Sequence, residues 1–239
     1  MSKGPLAVRW GAPPQLAPQA GVVALVDVEL ENTGSIAWRH EIYAAYHWLD
    51  TRDNPIVWDG LRTPSPPLEP GQCGTVTMRV RAPIPPGPYR LAIDLVAENR
   101  AWFSELGSPP STIDIAVEPR RGEPQATLPP GVEPGPGWEE HIRAAHAEGY
   151  AVVAGSIDWR GGLLHPRPHA LAPYAPGPGR VPGFGAPLLC PSVLQGVELE
   201  RLADVAGLPA FAAPSDGEPW IYDGRAVLTA RPRSGRQPT

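Results

Sequence analysis

Two carboxylates, Asp94 and Glu98, interrupt an otherwise apolar stretch, LAIDLVAENRAWFSELG, at residues 91–107. Paired acids on either side of a cleft are the machinery of glycoside hydrolysis, which needs them roughly 5 to 9.5 Å apart. Four residues of extended chain at ~3.3 Å each separate these two by about 13 Å. Within one strand they are too far apart to share a bond in a substrate. The plainer reading is that Asp94 faces outward or bonds a neighbouring loop, while Glu98 fixes the turn before Trp102.

The other reactive side chains form no recognisable catalytic pattern. His165 and His169 lie four apart in HPRPH, but the prolines prevent the helix that would bring both rings to one metal. His141 and His146 are five apart on an expected helix and point in different directions. No metal site is expected. LCPSVL offers Cys190 and Ser192 without an assigned base, and no Gly-x-Ser-x-Gly elbow occurs. PGPGRVPGFGAP follows no strand and lacks the Lys-Ser/Thr ending of a phosphate loop. The sequence indicates no catalytic residue and no cofactor.

Tryptophan is the remaining signal, with eight Trp against three Phe. An indole is both a favoured surface for stacking a sugar and an efficient filler of a β core. Trp38, Trp48 and Trp102 fall where strands need core filling, whereas Trp58, beside a turn, and Trp10, on an edge, are the expected exposed pair. His47 alternates away from Trp48 and should lie on the outer face. A ligand-binding groove for a glycan built from His47, Trp58 and Arg62 is the candidate site, set against the reading of these aromatics as plain packing.

The elements that would position these residues are strands. GVVALVDVELENTG alternates, with Val22, Ala24, Val26, Val28 and Leu30 on one face and Asp27, Glu29 and Glu31 opposite. EIYAAYHWLD places Ile42, Ala44, Tyr46 and Trp48 together; GTVTMRVRAP does so for Val76, Met78 and Val80; and STIDIAVEP for Ile113, Ile115 and Val117. LAVRW, PIVWDG and GPYRLAIDLV complete the set, and Tyr89 is a candidate tyrosine corner or an ordinary core residue. Short one-face-apolar strands joined by Pro-Gly turns predict an antiparallel sandwich over residues 1–119, and no connection holds a crossover helix.

Residues 120–137 lack apolar periodicity and read as a Pro/Gly linker. Residues 138–230 then read as a small, irregular α/β region. GWEEHIRAAHAEG is a helix and YAVVAGSIDW a strand. Residues 160–190 are an expected loop, GVELERLADVAG a second helix, and WIYDGRAVLTA a hairpin about Asp223-Gly224. Residues 231–239 form a basic tail.

Composition sets further bounds. With 34 Pro and 26 Gly, a long helical bundle is not expected. A net charge of −5 provides no general attraction to nucleic acid or anionic lipid. Two distant cysteines, Cys73 and Cys190, fit a reducing compartment, and no apolar leader or membrane span is legible. A cytoplasmic location is the expectation.

ENTGSIAW (31–38), YHWLD (46–50), GLRT (60–63), PGQ (70–72), APIPPGPYRLAIDLVAENRAWF (82–103) and Gly107 occur in an order that resembles a bacterial immunoglobulin-like module. Such modules accompany glycosyltransferases and cap polysaccharide ABC-transporter ATPases, where they bind glycan without catalysis. The four-tryptophan domain of autophagy receptors is a more distant look-alike with an adaptor role. The segment Trp138 to Gly155 resembles the helix–strand unit in the rear half of family 2 glycosyltransferases, yet no nucleotide-binding front half or Asp-x-Asp motif precedes it. The resemblances imply a non-catalytic binding or adaptor protein of surface-glycan synthesis or export, with a glycan or a glycan-processing protein as partner. The alternatives are a truncated sugar-transfer site around Asp158 and His165, and a structural module that self-associates through sheet edges.

Overall fold

The computed structural model describes residues 4–124, 132–159, 177–180, 188–190 and 218–230. The chain divides into two units, Met1–Arg120 and Arg121–Thr239.

The first unit is an antiparallel β-sandwich. One sheet runs in the order β1 (Val8–Trp10), β2 (Val23–Asn32), β6 (Cys73–Arg81). The other is built on β3 (Ile42–Leu49) and β7 (Gly87–Ala97). There, β4 (Pro55–Val57) and β5 (Thr63–Pro64) pair with β3, while β8 (Ala101–Trp102) and β9 (Ser111–Val117) pair with β7. First, second and sixth strands on one side, with third, seventh and ninth on the other, is the immunoglobulin-like arrangement. A parallel bridge, Gln19 to Glu118, ties the chain after β1 to the end of β9.

Period-2 alternation supplies the core. Val26, Val28 and Leu30 of β2 and Val76, Met78 and Val80 of β6 are buried with Ile42, Ala44, Tyr46 and Trp48 of β3 and Leu91, Ile93 and Leu95 of β7. Two aromatic polar groups tie the sheets together: Trp48 Nε1 donates to the Arg81 carbonyl at 2.8 Å, and Tyr46 Oη accepts the Arg81 N–H at 2.9 Å. Trp38 meets Phe103 edge-on with centroids 5.6 Å apart. Tyr89 Oη donates to the Pro85 carbonyl at 2.8 Å, four residues upstream, which makes it a tyrosine corner.

The Asn-Thr-Gly of the sequence is a turn anchored by the buried Asn32. Asn32 Nδ2 donates to the carbonyls of Ile36 and Leu68, and its Oδ1 accepts the Gly34 N–H at 3.0 Å. A Cβ at Gly34 would sit 2.4 Å from the Pro5 carbonyl oxygen, so the turn excludes a side chain there.

The second unit is a mixed sheet with one helix among the described residues. It comprises β10 (Val132–Pro134), α1 (Trp138–Glu148), β11 (Val152–Trp159), β12 (Gly177–Arg180), β13 (Leu188–Cys190) and β14 (Trp220–Ala230). β14 runs parallel to β11 and β12 and antiparallel to β10, and β13 pairs with β12. Ile142 and Ala145 form the buried side of α1; Glu139 and Glu140 open it, where they suit its dipole, and Gly149 ends it.

Three expectations for this unit change. WIYDGRAVLTA is one continuous strand, not a hairpin. Gly224 to Ala226 bulge out of register opposite Gly155/Ser156, and the buried Asp223 is held there by the Arg225 guanidinium at 2.8 and 2.6 Å. Residues 160–190, expected as loop, contribute β12 and β13. Val132–Pro134, inside the stretch read as linker, pairs with β14 as a strand. GVELERLADVAG and the basic tail lie outside the described residues.

Candidate functional site

The outer face of the sheet containing β3 and β7 is not the solvated surface that alternation alone suggests. Ala45 and His47 of β3 and Ala92, Asp94 and Val96 of β7 are buried although they point away from the core. Ala45 pairs with Asp94 and His47 with Ala92, so His47 and Asp94 are diagonal neighbours. The cover comes from two other segments. After β4 the chain turns back and lays Trp58 over β3, and β8 brings Trp102 alongside Val96.

His47 is the centre of this cover and is 4% exposed. Its ring stacks on Trp58 with centroids 4.2 Å apart at 22°, and it meets Trp102 edge-on at 4.5 Å. Nδ1 is hydrogen-bonded to the Trp58 carbonyl oxygen; because a carbonyl only accepts, Nδ1 carries the hydrogen. Nε2 then faces Asp94 Oδ2 at 4.0 Å and has no hydrogen-bond partner among the described residues. Asp94 is fully buried and accepts the N–H groups of Leu95 at 2.7 Å and Ser104 at 3.4 Å. The histidine thus fixes the tryptophan, and the aspartate fixes the turn carrying Trp102.

Above this buried layer Trp58 is 55% exposed. Trp102 stands 6.5 Å from it at 68° and carries the Arg62 guanidinium over its ring, 5.9 Å from the centroid. Arg62 reaches Asp59 Oδ2 at 2.9 Å through Nη2 and Asp59 Oδ1 at 3.4 Å through Nε, and is also paired with Glu98. The hydrogen bond to Asp59, with a second to Glu98, holds the guanidinium above its ordinary value, against the opposing effect of burial. The turn rests directly on β3: the Gly60 N–H donates to the Tyr46 carbonyl at 3.0 Å, and a Cβ at Gly60 would lie 2.4 Å from the Tyr46 ring.

The three residues singled out in the sequence, His47, Trp58 and Arg62, are therefore brought together. Their roles differ from the expectation: His47 is on the outer face but buried as a support, not presented to a ligand. Trp102, assigned to core filling, belongs to the outer cluster, while Trp38 and Trp48 do fill the core. Trp10 is half-buried, with its Nε1 donating to the Pro109 carbonyl at 2.9 Å, so Trp58 lacks the exposed companion expected at the sheet edge. Asp94 is sealed from solvent and Glu98 is paired with Arg62, an arrangement unsuited to acid–base catalysis. Asp158 lies in β11, and His165 lies outside the described residues. Among the described residues no three His, Cys, Asp or Glu gather to hold a metal, and no helix is long and apolar enough to cross a membrane.

The sequence matches no family model and no curated protein. Among solved structures, a β-glucosidase from Listeria innocua in complex with isofagomine is 14% identical over 47% of this chain and 16% of its own, with a TM-score of 0.31. A β-glucosidase from Erythrobacter marinus is 17% identical over 47% of this chain and 15% of its own, also at 0.31. A CARDB domain from Pyrococcus furiosus is 17% identical over 49% of this chain and 97% of its own, at 0.30. The shared part is less than a fifth of either β-glucosidase. Likenesses at this level bear on neither ligand nor activity.

Proposed function

We propose that the immunoglobulin-like unit is a non-catalytic glycan-binding module, serving bacterial surface-glycan synthesis or export as the resemblance of its motifs implies. The observation that carries the reading is the exposed Trp58 indole, clamped from beneath by a buried histidine. An apolar ring face offered to solvent is the surface a pyranose stacks on, and prior fixing of the ring spares the entropy of ordering it on binding. The polar groups of Arg62, Asp59 and Glu98 at its margin supply the hydrogen bonds that orient a ligand. Asp94, the one carboxyl facing His47 among the described residues, is inaccessible to a substrate, which favours binding over turnover. The test is a glycan array followed by titration calorimetry on the intact protein and on Trp58→Ala. Binding lost in the variant supports the reading, and absence of binding to any glycan by the unaltered protein overturns it.

A further inference from the structure

We propose that the Trp58 platform selects sugars without acidic groups and excludes uronate-, sialate- and phosphate-bearing ones; this rests on the glycan-binding reading. A guanidinium beside an exposed aromatic would ordinarily suggest recognition of an anion, because its fork matches carboxylate and phosphate. Arg62 is already neutralised here. Its Nε and Nη2 are directed at Asp59 and its Nη1 at Glu98, which engages three of its five N–H donors with two carboxylates. An incoming anion therefore meets a paired cation flanked by two negative charges.

The surrounding charge points the same way. Asp59 and Glu98 flank Arg62, and the Glu105 carboxylate accepts the Trp102 N–H at 3.1 Å. The one further cation on this stretch of chain is Arg100, in the exposed turn after β7. Three carboxylates (Asp59, Glu98, Glu105) that contact Arg62 or Trp102 therefore stand against two guanidiniums (Arg62, Arg100), an excess of one negative charge around the Trp102–Arg62 pair. Asp94 lies beneath them with both oxygens occupied by backbone N–H groups.

Those carboxylates are also suitable partners for an uncharged ligand. The Asp59 and Glu98 side chains are 50% and 38% exposed, so each retains lone pairs open to solvent. A sugar hydroxyl donates to a carboxylate in a charge-assisted hydrogen bond, and an acidic sugar group has no such proton to give. The platform thus combines stacking with acceptors, a chemistry for hydroxyl- or amine-bearing rings.

The test is an array of neutral, amino and acidic glycans, the acidic set including uronate, sialate and phosphate members. It is probed with the intact protein, Trp58→Ala and Glu98→Gln. Trp58-dependent binding confined to neutral and amino members supports the proposal. Trp58-dependent binding of acidic members as strong as of their neutral counterparts overturns it and leaves the platform reading standing. Absence of Trp58-dependent binding to every member removes the platform reading, and this proposal with it. Glu98→Gln removes one charge and frees one side of the Arg62 fork. It should raise the acidic-to-neutral ratio about two- to fivefold at moderate salt; an unchanged ratio counts against the proposal.

Discussion

Replacing His47 with alanine removes the floor under Trp58 and should destabilise the sandwich measurably. The imidazole makes two ring contacts, stacked at 4.2 Å and edge-on at 4.5 Å, and hydrogen-bonds the Trp58 carbonyl. Aromatic pairs contribute about 0.5–1.5 kcal/mol each beyond area, and a hydrogen bond about 1 kcal/mol. Against this, the variant also removes Nε2, a buried nitrogen without a hydrogen bond facing Asp94, which offsets about 1 kcal/mol. The net expectation is a loss of about 2 kcal/mol. In urea, with a slope of about 1–3 kcal/mol/M, the midpoint should fall by roughly 1 M. Because the chain has two units, the transition should be followed at several wavelengths and fitted to the step that carries the sandwich. A midpoint shift below about 0.2 M would refute the claim that His47 is a buried support. His47→Phe, which restores the ring without the nitrogens, should recover part of the loss.

Other positions give independent tests. Gly60→Ala forces a Cβ to within 2.4 Å of the Tyr46 ring, so thermal unfolding should show a cost of about 1–3 kcal/mol and, because the turn carries Trp58 and Arg62, weaker ligand binding. Burial raises the Tyr89 and Tyr150 phenols above their ordinary value of 10.0. A raised folded value means that this stability is fully present below pH 10 and is lost as pH rises through the folded values. Urea titrations should therefore show stability falling above pH 10, less steeply in Tyr89→Phe. That variant should also lose about 1 kcal/mol at neutral pH with its hydrogen bond to Pro85. A pH dependence identical in the two proteins would contradict the burial assigned to Tyr89.

The sandwich was legible because its strands alternate cleanly. Val26, Val28 and Leu30 can lie only on one face once Asp27, Glu29 and Glu31 are placed on the other, and the same period-2 rule puts Tyr46 and Trp48 together. The site was legible in part. Alternation sends His47 outward, but its burial depends on Trp58 and Trp102 arriving from separate segments, which no local period records. The outward position of Trp102 has a related cause. A reversal through Asn99, at φ 58°, precedes the two-residue β8, so the turn and not the rhythm of the preceding strand decides which way the indole faces. In the second unit, Asp223-Gly224 is a strong hairpin signal, but the pair sits in a bulge of a strand flanked by parallel neighbours. Arg225 satisfies the aspartate locally, a contact that a turn propensity does not anticipate. The short strands β12 and β13 were hidden by proline and glycine, whose usual role is to interrupt strands.

The central claim, that Trp58 presents a fixed face to a sugar, is tested most directly by calorimetric titration of the best glycan from an array into the intact protein and Trp58→Ala. Because Trp58 is 55% exposed, removal of its indole should cost the fold only about 1 kcal/mol, chiefly its stacking on His47. The same change should weaken binding at least about tenfold, the loss of one well-made stacking contact and the order it imposes. Equal affinity in the two proteins, or no glycan bound by the unaltered one, would contradict the account.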